Sequence, residues 1–185
     1  MAKLRTERLR RDLKESSFDC GNIGINEQIR ESYYLDLLRY VHAFEIFVDN
    51  KSVGFYQIGF RRIYLSSCPE DISDYSAAGI DWCFSLNVQY IAIDKNYQGC
   101  GIGSMVLLSI LNKARVLSMN YPVRLVTLLA VRERVQWYKD RGFKMFDESE
   151  IENLHNHEID MYIDLLSVSN KEKIEEYCYQ NSNTV

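Results

Sequence analysis

Apolar and polar positions divide this chain into stretches with two different periods. Apolar residues recur at helical spacing in residues 25–41 and 101–119, so each stretch is predicted to be a helix. Shorter runs rich in Val, Ile, Phe and Tyr predict strands around these helices. The predicted strands are residues 43–48, 52–60, 81–94, 123–130, 143–146 and 157–165, with 61–65 extending the second and 4–13 forming an edge strand or an arm.

Turn signals complete the pattern. Residues 49–51 predict a tight hairpin turn, residues 66–80 predict a loop, and Gly142 is placed to cap a short helix at residues 132–141. The resulting order of elements predicts an α/β or α+β fold with a mixed sheet covered by helices. One domain is expected over residues 1–166, followed by a polar tail over residues 167–185 with a short helix at 171–179. The core contacts expected from the helix at 101–119 are Met105, Leu108, Ile110, Leu111 and Val116.

Composition narrows the class of protein. The chain has 185 residues, enough for one domain with a hydrophobic core. Its five cysteines are widely spaced, which argues against a disulfide framework or a zinc site and favours reduced thiols. No apolar run suggests a membrane span, and the charged residues 1–14 do not resemble a signal peptide. A cytoplasmic protein without a metal is therefore expected.

The net charge of −4 conceals an uneven distribution. Residues 95–144 carry nine basic and two acidic side chains, whereas residues 145–185 carry two basic and ten acidic ones. The basic segment contains the glycine-rich stretch described next, so a polyanionic ligand would be attracted there. The alternative is that these charges lie on scattered, solvated helix faces.

A predicted strand runs into a glycine-rich turn that opens a predicted helix. Gln98, Gly101 and Gly103 are spaced as Gln-x-x-Gly-x-Gly, and Gly99 lies between Gln98 and Gly101. Glycines let a backbone approach a ligand closely, and free N–H groups at a helix start attract phosphate. Val106 occupies the third glycine position of a dinucleotide-binding fingerprint, and no Lys-Ser/Thr pair closes a Walker loop. The alternative is a turn that uses glycine for geometry alone.

This spacing resembles the acyl-CoA loop of the GCN5-related N-acetyltransferase (GNAT) family. The resemblance covers residues 3–165 in the order of elements, apart from one missing helix near the start, and implies a mostly antiparallel central sheet. It also implies acetyl-CoA as cosubstrate, with the pantetheine arm paired to the strand and the pyrophosphate held by the loop. The cofactor-binding residues implied are Ile91, Ala92, Ile93, Gln98, Gly99, Cys100, Gly101, Ile102, Gly103 and Ser104.

A second stretch, Trp137-Tyr138 followed by Gly142-Phe143, is similar to another GNAT signature. In that family this Tyr lies at the coenzyme A sulfur, so the resemblance implies that Tyr138 is the catalytic residue. A phenol can donate a hydrogen bond or proton to the leaving thiolate. The chain departs from the family pattern at Val131 and Arg134, where Asn and Ala are common. Tyr138 as a core aromatic of a short helix is the alternative.

A third stretch, Phe18-Asp19-Cys20-Gly21-Asn22, resembles the start of GNAT toxins of toxin–antitoxin pairs. Those enzymes acetylate the amine of aminoacyl-tRNA, which implies tRNA and an antitoxin protein as partners. A common turn of this fold is the alternative, and a pI of 5.5 argues against a tRNA-binding surface.

Three functions remain open from the sequence. They are an N-acetyltransferase acting on a small amine, peptide or protein, a toxin acting on aminoacyl-tRNA, and a non-catalytic module that binds acyl-CoA. The family resemblance also permits a homodimer. The sequence does not identify the general base. The carboxylates near strands are Glu45, Asp81 and Asp94, and Asn87 and Gln89 are candidates to position a water. His155 and His157 are candidates to face the acceptor site, with a place in an exposed loop as the favoured alternative for both.

Overall fold

The structure is a computed structural model that describes residues 3–73 and 81–182. Seven strands form one sheet in the order β1-β2-β3-β4-β5-β7-β6. Neighbouring strands are antiparallel, except for β4 and β5, which run parallel. The strands are β1 Leu4–Arg8, β2 His42–Val48, β3 Lys51–Tyr64, β4 Trp82–Ile93, β5 Val123–Val131, β6 Lys144–Met145 and β7 Glu158–Asp164.

Five α-helices are described, and their positions confirm the predicted mixed sheet with helices on both faces. The helix α3 packs on one face of the sheet, above β4 and β5, and α1 packs on the other face. We refer to these as the α3 face and the α1 face. The helices are α1 Ile23–Leu37, α2 Glu70–Ser73, α3 Ile102–Asn120, α4 Val135–Lys139 and α5 Val168–Ser182.

Helix α1 ends earlier than predicted, at Leu37 instead of residue 41. Arg39 adopts a left-handed conformation with φ of +64°, which stops the helix without a glycine. The Asp36 carboxylate then accepts hydrogen bonds from Arg8 and from the backbone N–H of Ala43, which fixes the passage into β2. Arg8 holds the pKa of Asp36 below its usual range, against the opposing effect of burial.

The buried stripe of α3 also differs from the prediction. Ile110 and Leu111 are buried as predicted, but Met105, Leu108 and Val116 are exposed. The helix is apolar on more than one side, so helical spacing alone does not identify the side that meets the sheet. The buried residues of α3 are Ile102, Val106, Leu107, Ile110, Leu111 and Ala114.

Helix α3 is also long and apolar enough, on length and composition alone, to cross a bilayer. The prediction that no segment has these properties was therefore wrong. In this fold α3 contributes its buried residues to the main core, where they pack against the sheet. That packing accounts for part of its apolar character, since Met105, Leu108 and Val116 are exposed.

Candidate active site

A glycine-rich loop joins the end of β4 to the start of α3. Gly99 and Gly101 have φ of +78° and +77°, a conformation that glycine adopts at little cost. The helix begins directly after Gly101. The backbone N–H groups of residues 98–104 make no hydrogen bond to any described residue. Together with the positive end of the helix dipole, these groups form a site suited to an anion.

The loop is braced by the turn at Asp19 and Cys20. The Asp19 carboxylate accepts from Lys95 Nζ at 2.9 Å and from Asn26 Nδ2 at 2.9 Å, and the Asp19 carbonyl accepts from the Lys95 backbone N–H. Gln98 Nε2 donates to the Cys20 carbonyl at 2.8 Å. The hydrogen bond from Lys95 has the largest effect on the Asp19 carboxylate, and those from the Gly21 N–H and Asn26 add to it. Together they hold the pKa of Asp19 far below its usual range. The stretch that resembles the start of the toxins therefore supports the glycine loop directly.

Strands β4 and β5 separate beside this loop. Their parallel pairing ends at Val88 and Leu128. Beyond that point, residues 90–93 of β4 pair only with β3, and residues 129–131 of β5 pair only with β7. A β-bulge at the same level places Gln89 between paired residues of β4. The sheet therefore has an internal gap with an unpaired strand edge on each side.

The exposed edge of β4 has a defined polarity. The Asp94 N–H donates to the Val53 carbonyl on β3, so the Ile93 carbonyl faces the gap. Gln98 Nε2 donates to that carbonyl at 2.8 Å. The N–H of Ile93 faces the gap as well, and it remains available to a ligand. By strand alternation, the N–H and carbonyl of Ile91 also face the gap. They are available to pair with an extended amide-containing ligand.

Tyr138 lies on α4 at the other wall of the gap. Its ring makes edge-to-face contacts with Trp137 and Phe143, with centroids 4.8 and 5.5 Å apart, and these contacts fix its direction. The Tyr138 hydroxyl makes no hydrogen bond to any described residue. Burial raises the pKa of Tyr138 to about 12, although Arg134 and Arg141 oppose the shift. The phenol is therefore protonated at neutral pH and free to donate.

Arg141 is a site residue that the sequence analysis did not identify. Its guanidinium lies 3.9 Å from the Trp137 ring centroid and donates to Ser104 Oγ at 2.8 Å, so it joins α4 to the start of α3. Neither Arg141 nor Arg134 forms an ion pair with a described residue. Trp137 lies on α4 and Arg141 lies in the turn directly after it, and their separation of four residues is the signal that could have revealed this pair.

The loop, the edge of β4 and α4 enclose a cleft of about 480 Å³. Most of the residues proposed to bind the cofactor line it, and so does Tyr138. Ala92 does not, because it is buried on the α1 face, and exposed Cys100 also lies outside the lining. The lining residues are Ile91, Ile93, Tyr97, Gln98, Gly99, Gly101, Ile102, Gly103, Ser104, Arg134, Trp137, Tyr138 and Arg141.

None of the residues that line the cleft is acidic. Glu45 is buried and bound to Arg11 at 2.6 Å, and Asp94 caps the turn after β4 by accepting from the Asn96 N–H. Asp81 precedes β4 at the end opposite the loop. The proposed carboxylate bases are therefore engaged or placed elsewhere. Among the described ranges, no group of three or more His, Cys, Asp or Glu side chains is placed to hold a metal.

No protein-family model and no curated protein matches the sequence. Solved structures do match the fold. A variant of KacT with a tyrosine-to-phenylalanine substitution aligns with a TM-score of 0.72 at 15% identity over 94% of this chain and 98% of that one. AtaT complexed with acetyl-methionyl-tRNAfMet aligns with a TM-score of 0.70 at 17% identity over 88% and 95%. AtaTR bound with acetyl-CoA aligns with a TM-score of 0.68 at 17% identity over 94% and 97%.

The chain has the GNAT fold. The sequence resemblance to that fold is thereby confirmed, including the mostly antiparallel sheet and the single helix between β1 and β2. In this GNAT fold, the cleft lies where the glycine loop, the separated strands β4 and β5 and the Tyr138 hydroxyl meet.

Proposed function

We propose that this chain is an N-acetyltransferase that moves an acetyl group from acetyl-CoA directly to a primary amine. One observation carries the proposal. Unpaired N–H groups, an unpaired strand edge and a phenol without a hydrogen-bond partner meet in a single cleft. These groups match the pyrophosphate, the pantetheine amides and the thioester sulfur of acetyl-CoA, respectively.

In this proposal, the N–H groups of residues 98–104 hold the pyrophosphate, and Arg134 and Arg141 add positive charge. The Ile91 backbone pairs with the pantetheine arm. The N–H of Ile93 faces the gap and is placed to polarise the thioester carbonyl as negative charge develops on its oxygen. The role of Gln98 differs from the backbone contact expected from the sequence, because its side chain fixes the loop from behind.

The chemistry balances with one amine and one thioester. The nitrogen lone pair forms a bond to the acetyl carbon, the carbon–sulfur bond breaks, and the thiolate leaves with that electron pair. Tyr138 donates a proton to the sulfur, and the amine nitrogen loses one proton to solvent or to the phenolate. The products are an acetylated amine and coenzyme A. A phenol with this role argues against the non-catalytic alternative, because a binding module has no need of an acid at the sulfur.

A toxin acting on aminoacyl-tRNA is a second candidate, favoured by a specific observation. The cleft lining contains no acidic base. A free α-amine, with a pKa near 8, is partly neutral at physiological pH, whereas a lysine amine, with a pKa of about 10.4, is not. This favours α-amines, as in aminoacyl-tRNA or protein N-termini. AtaT, similar in fold, was solved with acetyl-methionyl-tRNAfMet. A tRNA substrate, an antitoxin partner and a cytoplasmic location belong to this candidate.

The test is transfer of labelled acetyl groups from acetyl-CoA to three acceptor pools: bulk charged tRNA, peptides with free N-termini, and lysine-containing peptides with blocked N-termini. We expect label in one of the first two pools with wild type and none with Tyr138→Phe. Label confined to charged tRNA selects the toxin function. Absence of label in every pool, with intact acetyl-CoA binding, contradicts the transferase proposal for these amines.

A further inference from the structure

The α1 face of the gap carries a pair of side-chain amides, one buried and one exposed, that the cleft chemistry does not use. Gln57 on β3 is 2% exposed, and its Nε2 donates to Oε1 of Gln89 on β4. Gln57 Oε1 is buried and has no hydrogen-bond partner. A buried acceptor without a partner costs about 1–3 kcal/mol, so an apolar residue would serve stability better at this position. This cost calls for a functional explanation.

Gln89 is at the level where the sheet opens. It is the bulge residue of β4, directly after Val88, the last residue that pairs with β5. Its side chain is exposed and reaches the α1 face, where a Cβ at Gly59 would lie 3.5 Å from Gln89 Nε2. Tyr138 lies across the gap on the α3 face. A thioester at the Tyr138 hydroxyl would therefore be approached from the Gln89 side.

The surroundings of Gln89 indicate what kind of amine would fit. A Cβ at Gly59 would also lie 3.4 Å from the carbonyl of Tyr40, which follows the end of α1 and is 72% exposed, and Leu129 on β5 is 51% exposed. Leu129 follows the last residue of β5 that pairs with β4, as Gln89 follows its counterpart on β4. Two exposed apolar side chains, those of Tyr40 and Leu129, thus belong to residues near the Gln89 amide or at its level in the sheet.

We infer that Gln89 Oε1 binds the attacking amine and that Gln57 is the residue that positions it. Gln57 Nε2 occupies one lone pair of Gln89 Oε1, and the second lone pair accepts an N–H of the amine. This bond strengthens as the nitrogen becomes positively charged during attack. The acceptor class is a primary amine next to an apolar group. The inference rests on the proposed function, because it assumes the thioester lies in the cleft.

The experiment uses the uniformly ¹⁵N-labelled chain, a non-reactive acetyl-CoA analogue with a methylene in place of sulfur, and leucinamide as the probe amine. Gln57→Leu and Gln89→Leu assign the two side-chain amides. Gln28→Leu, which changes an exposed glutamine on α1, is the matched control. We expect the analogue to shift the backbone amides of residues 98–104, and leucinamide then to shift the amides of Gln57 and Gln89 but not Gln28.

Two further readouts separate positioning from a structural role. Gln57→Leu should weaken leucinamide binding to the analogue complex about 10-fold, leave analogue affinity unchanged, and leave the melting temperature unchanged or higher. Lower melting temperature together with weaker analogue binding overturns the inference. The inference is also overturned if leucinamide leaves the NMR signals of both glutamine side-chain amides unchanged, or if leucinamide does not bind the analogue complex. Failure of the analogue itself to bind contradicts the proposed function instead.

Discussion

The two faces of the sheet at the end of β4 present different kinds of site. On the α3 face, backbone groups of the glycine loop and of the β4 edge that lack a described partner predominate, and the Tyr138 side chain lines the same cleft. On the α1 face, the side chains of Gln57 and Gln89 form the amide pair that we infer binds the acceptor amine. A backbone site needs glycines at fixed spacing, which a sequence displays. A side-chain site on two strands has no such spacing. The acetyl-CoA site that we propose on the α3 face was therefore predictable from the sequence, and the acceptor site that we infer on the α1 face was not.

The largest expected effect tests whether Tyr138 has the chemical role that we propose for it on the α3 face. Tyr138→Phe removes the hydroxyl that we propose donates to the sulfur, so kcat should fall about 10²–10³-fold with acetyl-CoA affinity unchanged. Tyr97→Phe, at a second tyrosine of the same cleft, is the matched control and should keep near-normal kcat. Steady-state transfer kinetics and calorimetric binding measure the two quantities. Equal loss in both variants would contradict a specific role for Tyr138.

A pair of glycine variants tests whether the α3 face depends on backbone conformation. Gly101→Ala forces a side chain into left-handed φ and should weaken acetyl-CoA binding about 10-fold. Gly103→Ala should change affinity less than about 2-fold, because its Cβ would meet Ile93 and Trp137 only at 3.9 and 4.0 Å. Calorimetric titration with acetyl-CoA compares them. If Gly103→Ala were the more damaging change, the loop account would be wrong.

The brace behind the loop should matter less than the loop itself. Asp19→Asn keeps the shape but weakens the bond to Lys95, so acetyl-CoA affinity should drop roughly 3-fold. Asp12→Asn, at an exposed carboxylate that bonds only the nearby Lys14 N–H, is the control and should not change affinity. The lowered pKa of Asp19 means that its contribution is present above about pH 4 and is lost as pH falls further. A loss of affinity centred near neutral pH that disappears in Asp19→Asn would contradict this role.

The smallest expected effect is the change of folding stability with pH that comes from the ionisation of Tyr138. The pKa of Tyr138 is raised to about 12 from an unfolded value near 10. Its contribution to folding stability is therefore fully present below about pH 10 and is lost as pH rises toward 12. A difference titration of tyrosinate absorbance, wild type minus Tyr138→Phe, should show no ionisation of Tyr138 below pH 10. Ionisation near pH 8, below the value of about 10 for a free phenol, would mean that the positive charges of Arg134 and Arg141 outweigh burial.

The order of elements along the chain and most of their positions were predictable because alternation, turn residues and glycine caps are local signals. Gly142, for example, has φ of +88° and ends the last turn after α4, as its position predicted. The end of α1 was not predictable, because Arg39 adopts a conformation that sequence assigns to glycine. The exposure of Met105 and Leu108 was also missed, because it depends on which side of an apolar helix meets the sheet.

In the candidate site, local signals in the sequence were enough to predict the glycine loop and Tyr138. The roles of the other residues depend on tertiary contacts. Gln98 lies in the motif, yet its side chain bonds the Cys20 carbonyl, which is distant in sequence. Ala92 lies between Ile91 and Ile93, and strand alternation directs its side chain into the core of the α1 face. The link between Gln57 and Gln89 requires knowing the register of β3 against β4 and the position of the bulge.

The most direct test of the account is a crystal structure of the chain with the methylene analogue of acetyl-CoA. The account predicts the pantetheine arm between residues 89–93 and 129–131, the pyrophosphate on the N–H groups of residues 98–104, and the methylene within about 3.5 Å of the Tyr138 hydroxyl. An analogue bound elsewhere, or one whose methylene lies far from Tyr138 while the loop N–H groups stay unbound, would contradict it.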